Sequence, residues 1–187
     1  MLRQDPDVIL VGEVRDEETA EIAMQAAMTG HLVFSTVHTS DATSALFRLL
    51  DLGVEPYLIS SALTAVLSQR LLRVLCNNCK APYRPSREFL EKVGLPTDKV
   101  DVLYKAVGCE RCQGTGFYGR TGVFEMLSIN DEIRNIIKSS PSVTEVQRAA
   151  RKTGLRTLEE DGILKVARGV TSIKELLRVT RAERITI

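Results

Sequence analysis

A chain of 187 residues with 44% hydrophobic and 26% charged content suits a globular protein with one core, or a core and a small satellite. That balance excludes disordered and collagen-like classes, and a net charge of +1 leaves no overall field drawing the chain to nucleic acid or an acidic membrane surface. No apolar run approaches a membrane span, and the opening Met1-Leu-Arg-Gln-Asp-Pro6 lacks the apolar stretch of a signal peptide, so the expected compartment is the cytosol.

Val8-Ile-Leu-Val11 is a short apolar run that predicts a strand covered on both faces. With no element before it to cover it, the chain is expected to be the C-terminal part of something longer. Residues about 17–28 predict a helix stopped by Gly30, and Leu32–Val37 a second buried strand. Ser40 or Asp41 is positioned to cap a helix that carries Leu46, Phe47, Leu49 and Leu50 and stops at Gly53. A further helix is predicted over about Tyr57–Leu67 and a third strand over Arg70–Leu75. Strands alternating with helices predict a parallel sheet with crossover helices.

The pattern breaks at Cys76. Two C-x2-C pairs, Cys76/Cys79 and Cys109/Cys112, are separated by 29 residues. In a cytosolic chain such pairs predict one tetrahedral, structural zinc ion rather than disulfides. No fifth Cys and no nearby His or carboxylate suggests an open coordination position, so catalysis at the metal is not expected. Four thiolates leave a net charge of −2 on the centre, which Arg73, Lys80, Lys105 and Arg111 are placed in sequence to offset. Gly114-Thr-Gly116-Phe-Tyr-Gly119 matches a dinucleotide fingerprint in letters only. A knuckle precedes it and a predicted strand (Arg120–Leu127) follows, where a fingerprint needs a strand and then a helix. Beyond that strand a helix is predicted near Asn130, and Ser142/Glu145, Thr157/Glu160 and Ser172/Glu175 each fit the capping box at the head of a helix.

In a parallel sheet, ligands bind past the carboxyl ends of the strands. Glu13 stands just past the first strand and His38 just past the second, so both face one edge. There a carboxylate can orient water and an imidazole can bond a phosphate oxygen. His31 lies at the other end of its strand, roughly 20 Å away along extended chain. From the residues alone, Glu13 is equally a partner of the following helix N-terminus, and either histidine a half-buried ring.

Longer stretches of sequence favour the chemical reading. Leu2–Asp16, with Val-Ile-Leu-Val-Gly-Glu-Val-Arg-Asp at its end, resembles the Walker B region of the secretion-type ATPases, the motors of type II secretion and type IV pilus assembly. Thr29-Gly-His-Leu-Val-Phe-Ser-Thr-Val-His-Thr39 resembles their histidine box. The likeness continues through Gln69-Arg-Leu71, the tetracysteine segment, Gly119–Gly122 and Thr171-Ser172. It implies an α/β fold: the C-terminal part of a RecA-like P-loop ATPase domain with a parallel sheet, a zinc insertion and a C-terminal all-helical subdomain. The implied divisions are 1–75 and 117–128 for the ATPase core, 76–116 for the zinc insertion and 129–187 for the helices.

The same resemblance makes Glu13 the carboxylate that activates the attacking water and His38 a γ-phosphate sensor, both toward ATP and Mg²⁺. Arg15 and His31 would organise the site or the subunit boundary. It further implies a homo-hexamer, cytoplasmic and peripheral at the inner membrane through a platform protein and a membrane-anchored recruiting protein, with no nucleic acid. The tetracysteine unit favours the secretion and pilus-extension branch over the retraction motors. One departure is large: no G-x-x-x-x-G-K-[ST] run occurs, so the chain alone is expected to be inactive. The competing readings are a zinc-ribbon module for nucleic acid or protein, with Phe117 and Tyr118 beside a knuckle, and a structural or regulatory remnant.

Overall fold

The computed structural model describes residues 6–95, 100–139 and 141–181. In chain order the elements are β1 (Val8–Val11), α1 (Glu17–Met28), β2 (Leu32–Ser35), α2 (Ala42–Asp51), α3 (Pro56–Ala62) and β3 (Ala65–Leu75). There follow β4 (Ala81–Tyr83), α4 (Arg87–Lys92), β5 (Leu103–Lys105), β6 (Phe117–Ser128), α5 (Asp131–Lys138), α6 (Val143–Lys152), α7 (Leu158–Ala167) and α8 (Ile173–Arg181). The chain divides into two compact units, one of residues 1–68 and 126–155, the other of 69–125 and 156–187. These bounds cut across the division expected from the sequence, since α5 and α6 belong to the first unit and α7 and α8 to the second.

In the first unit β1 and β2 pair in parallel, with Val8 opposite Leu32 and Val11 opposite Ser35, as the sequence predicts. The connecting helix α1 starts at Asp16, whose carboxylate accepts from Thr19 N–H at 2.8 Å, and Asp41 caps α2 in the same way through Ser44 N–H at 2.7 Å. The strands are not covered on both faces. Val8, Leu10, Leu32 and Phe34 are 54–76% exposed, while Ile9, Val11 and Val33 are half-buried. Alternation puts those two sets on opposite faces, and no described element covers the first. The core lies elsewhere, where Leu46, Leu49, Ile59, Ile133, Ile137 and Val146 from four helices meet Leu127.

The third strand departs from expectation in place and partner. The helix begun at Pro56 ends at Ala62, because Leu63 turns extended and burial thereafter alternates, with Ser68 and Leu72 in and Leu67 and Leu71 out. A period of two cannot continue a helix. The resulting β3 does not join β1 and β2 but pairs with β6. Hydrogen bonds from Ile129 N–H to Thr64 C=O and from Cys76 N–H to Gly116 C=O, at opposite ends of the pair, make it antiparallel.

The second unit has its own core of Leu72, Leu90, Leu103, Val123, Leu158 and Leu176. The 76–116 segment therefore contributes apolar side chains to a shared interior. Inside it β4 and β5 form an antiparallel pair, with Pro82 opposite Tyr104. A Cβ at Gly162 would stand 2.1 Å from a methyl of Leu176, so a glycine in mid-helix lets α7 approach α8 closely. Two capping boxes form as predicted, at Ser142/Glu145 and Thr157/Glu160. The third forms by half: Ser172 Oγ accepts Glu175 N–H, but the Glu175 carboxylate turns to two arginines.

That carboxylate is fully buried, with Arg73 Nη2 at 2.6 Å, Arg73 N–H at 3.1 Å and Arg178 Nε and Nη2 at 2.9 and 2.8 Å. Burial alone would raise its pKa, but the Arg178 and Arg73 bonds outweigh it and bring it from 4.5 to about 2. A carboxylate depressed in this way stabilises the fold fully above pH 4.5 and loses that contribution as pH falls toward about 2. Glu175→Gln should thus cost about 3 kcal/mol in a denaturant melt at pH 7, and its gap from the parent should narrow steadily between pH 5 and pH 2. A gap that does not change with pH would contradict this assignment.

Candidate functional site

The ends of β1 and β2 bring Glu13, Arg15 and His38 together. Val14 N–H donates to Thr36 C=O at 2.9 Å and Thr36 Oγ1 donates to Gly12 C=O at 2.8 Å. Both peptide units beside Glu13 are thereby tied to the loop leaving β2, the loop that carries His38. Arg15 Nη2 lies 2.7 Å from Glu13 Oε1, and His38 Nε2 lies 3.3 Å from Oε2. The Arg15 hydrogen bond, more than His38, holds the Glu13 carboxyl below its ordinary range, so it is ionised near neutrality. Oε2 is shielded from water yet lacks a hydrogen bond of good geometry, the His38 approach being close enough for an ion pair only. His38 itself is open, its side chain 87% exposed.

His31 stands apart, at the start of β2. Its Nδ1 lies 3.0 Å from Ala26 C=O and 3.1 Å from Thr29 Oγ1, which ties the ring to the C-terminal turn of α1. The next acids along the two loops are Asp16 and Asp41, and each caps a helix. Gly12 has no side chain to offer, and Glu13 is engaged by Arg15. These strand ends alone do not make a magnesium site.

The four cysteines converge. Cys76–Cys109, Cys79–Cys112 and Cys109–Cys112 sulfurs are 3.9, 3.8 and 3.7 Å apart, and all four lie within 4.8 Å of one another. A tetrahedral zinc with Zn–S of about 2.3 Å sets its sulfurs about 3.8 Å apart, so the donor set fits the ion. Three of the four basic residues expected to offset the thiolate charge make other contacts. Arg73 bonds Glu175 and stacks on Phe117 at 4.2 Å, Arg111 stacks on Tyr118 at 5.1 Å, and Lys80 bonds Gly169 C=O at 3.2 Å.

Backbone amides reach the sulfurs instead. Gly108 N–H points to Cys79 Sγ at 3.3 Å, and Cys109 and Gly116 N–H to Cys112 Sγ at 3.2 Å each. Burial disfavours a thiolate at Cys112, yet these amides and the neighbouring thiols bring it down to about 6, while burial foremost pushes Cys79 up to about 11. The signal for this in the sequence was glycine. A Cβ at Gly108 would stand 2.6 Å from Gly114 O, and one at Gly116 2.6 Å from the Ala106 methyl, with both φ values positive. The apparent fingerprint at Gly114–Gly119 thus shapes the knuckle and leads into β6, with no helix after it.

Comparison with known proteins places this arrangement. A family profile described as "Type II/IV secretion system protein" matches residues 1–178. The chain belongs to the type II/IV secretion system protein family. Within that family it is 51% identical over 181 residues to the type IV pilus assembly ATPase PilB of Thermus thermophilus, covering 96% of this chain and 20% of the relative. It is 49% identical over 183 residues to the type II secretion system protein E of Pseudomonas aeruginosa, covering 98% of this chain and 36% of the relative. The chain thus spans between a fifth and about a third of the curated relatives it matches.

Among solved structures, a pilus retraction motor PilT with bound ADP superimposes with a TM-score of 0.64 at 27% identity, over 95% of this chain and 40% of that one. The ATPase DotB of Legionella pneumophila, at 23% identity and a TM-score of 0.61 over 94% of this chain and 38% of its own, shares the fold. The α/β fold of the secretion ATPases is therefore established for this family member. No described helix is long and apolar enough to cross a membrane.

Proposed function

We propose that this chain is the C-terminal part of a RecA-like motor ATPase that acts as a hexamer and hydrolyses ATP to power type II secretion or type IV pilus assembly. The motor would work in the cytoplasm against an inner-membrane platform. The observation that carries this reading is the pairing of Glu13 with His38 at the carboxyl ends of two in-register parallel strands, where ligands of such sheets bind. Relatives bearing the names of pilus-assembly and secretion proteins, with near full coverage of this chain, support the same assignment.

Phosphoryl transfer asks a protein mainly for positioning and electrostatics. Glu13 is ionised, with Oε1 held by Arg15, so Oε2 remains as an acceptor aimed beside His38. Its depressed pKa makes it a weak base and a good anchor, so its role is to orient the attacking water rather than to take the proton early. His38 Nε2 stands 3.3 Å from that oxygen and its side chain is otherwise exposed. Swinging onto a γ-phosphate oxygen, it would leave Oε2 as the phosphate arrives. The four cysteines would hold a closed structural zinc, which supplies cross-linking of two knuckles and no chemistry toward ATP.

The sequence contains no G-x-x-x-x-G-K-[ST] run to cradle phosphates. The chain alone is accordingly expected to show no ATP binding by calorimetry and no phosphate release above blank. Activity that copurifies with the isolated chain and survives exclusion of contaminating ATPases would overturn the division of labour proposed here.

A further inference from the structure

The segment entering α8 and the first turn of that helix are fastened at four points to residues on either side of the Cys76/Cys79 pair. Gly169 C=O accepts from Lys80 Nζ at 3.2 Å, and Val170 C=O accepts from Leu75 N–H at 2.9 Å. Thr171 Oγ1 donates to Arg73 C=O at 2.8 Å. Glu175 then takes both the Arg73 amide and its guanidinium, which also lies over the Phe117 ring just after the second knuckle. Lys80 also lies over the Tyr104 ring at 4.9 Å, and a Cβ at Gly169 would meet that ring at 2.7 Å. Thr171 and Glu175 are each at most 1% exposed. Residues 73, 75 and 80 bracket Cys76 and Cys79, so the metal's first two ligands sit on a stretch held at both sides by the 169–175 turn.

We propose that Glu175 and Thr171 are positioning residues for the zinc centre: the turn into α8 clamps the Cys76/Cys79 knuckle, and metal affinity and α8 order are thermodynamically linked through it. The proposal rests on the four cysteines holding zinc. Linkage is reciprocal, so a clamp that favours the metal-bound knuckle must itself be favoured by the metal. Buried hydrogen bonds to charge carry the coupling, because their loss leaves Arg73 without its carboxylate partner beside the knuckle. Arg178 supplies the contrast. It bonds the same carboxylate from within α8, and its loss leaves the Arg73–Glu175 link in place.

The test is a zinc competition titration against a chromophoric chelator on the whole chain, in the parent, Glu175→Gln, Thr171→Val and Arg178→Gln. Unfolding midpoints are measured alongside. The clamp predicts that Glu175→Gln and Thr171→Val weaken zinc binding about tenfold, and that Arg178→Gln changes it less than about threefold. It also predicts that stripping zinc from the parent speeds hydrogen exchange across 170–178. Should Glu175→Gln fold too poorly to titrate, Thr171→Val carries the comparison with Arg178→Gln. Equal affinities in all four proteins, or losses that track only the unfolding midpoints, overturn the clamp and leave the zinc reading standing. A parent that takes up no zinc overturns both.

Discussion

Replacing Cys112 by serine will abolish stoichiometric zinc binding and unfold the 76–116 segment, measured as loss of one zinc per chain and of amide protection there. Cys112 is the most heavily used of the four sulfurs, with two amides donated to it and two sulfur neighbours at 3.7 and 3.8 Å. A serine oxygen is a poor zinc ligand at this geometry and leaves the Cys109 and Gly116 amides short of their acceptor. Structural zinc supplies folding free energy directly, so the cost should reach at least about 4 kcal/mol in the unit of residues 69–125 and 156–187. That unit's interior includes Leu90, Val93, Leu95 and Leu103 from the 76–116 segment, so the loss should extend to α7 and α8. The first unit, with a separate core around Leu46, Ile59 and Ile133, should keep its protection. A metal-free variant with full protection across 76–116 would show the cysteines to be incidental.

What the sequence told, it told through local chemistry. The C-x2-C spacing announced the convergence of the four cysteines, because two knuckles suffice to define a tetrahedron, and the sulfur distances agree. The parallel pairing of β1 with β2 was legible from apolar runs on either side of a capped helix, and the placement of Glu13 and His38 followed from it. Legibility failed where pairing between distant segments decides. Arg70–Leu75 was legible as a strand, but Leu63-Thr-Ala-Val-Leu67 serves a helix or a strand equally, and only the partner β6 settles the matter. The fate of Glu175 was hidden for the same reason. Its spacing from Ser172 fits a capping box, but Arg73, 102 positions earlier, outbids the Ser172 amide for its oxygens. The basic residues near the cysteines misled because sequence proximity says nothing of direction; each of Arg73, Lys80 and Arg111 turns to another partner.

Glu13→Gln, in the longer protein that would supply the phosphate loop, should stop turnover while ATP still binds. The amide is the same size and can still meet Arg15 through its oxygen, so the strand ends should keep their geometry. What disappears is the negative charge that Arg15 and His38 now face, and with it a second acceptor oxygen able to hold water in line with the phosphate. Loss of a positioned carboxylate of this kind lowers turnover by about 10²- to 10⁴-fold. Because binding would rest on the phosphate loop, the dissociation constant should stay within about threefold. The decisive measurement is therefore steady-state ATP hydrolysis alongside equilibrium nucleotide binding for the Glu13→Gln protein and its parent. Turnover lost at least about a hundredfold with affinity retained is the predicted result. Turnover within a few-fold of the parent would contradict the assignment of Glu13, and with it the reading of the β1–β2 edge as the hydrolytic half of the site.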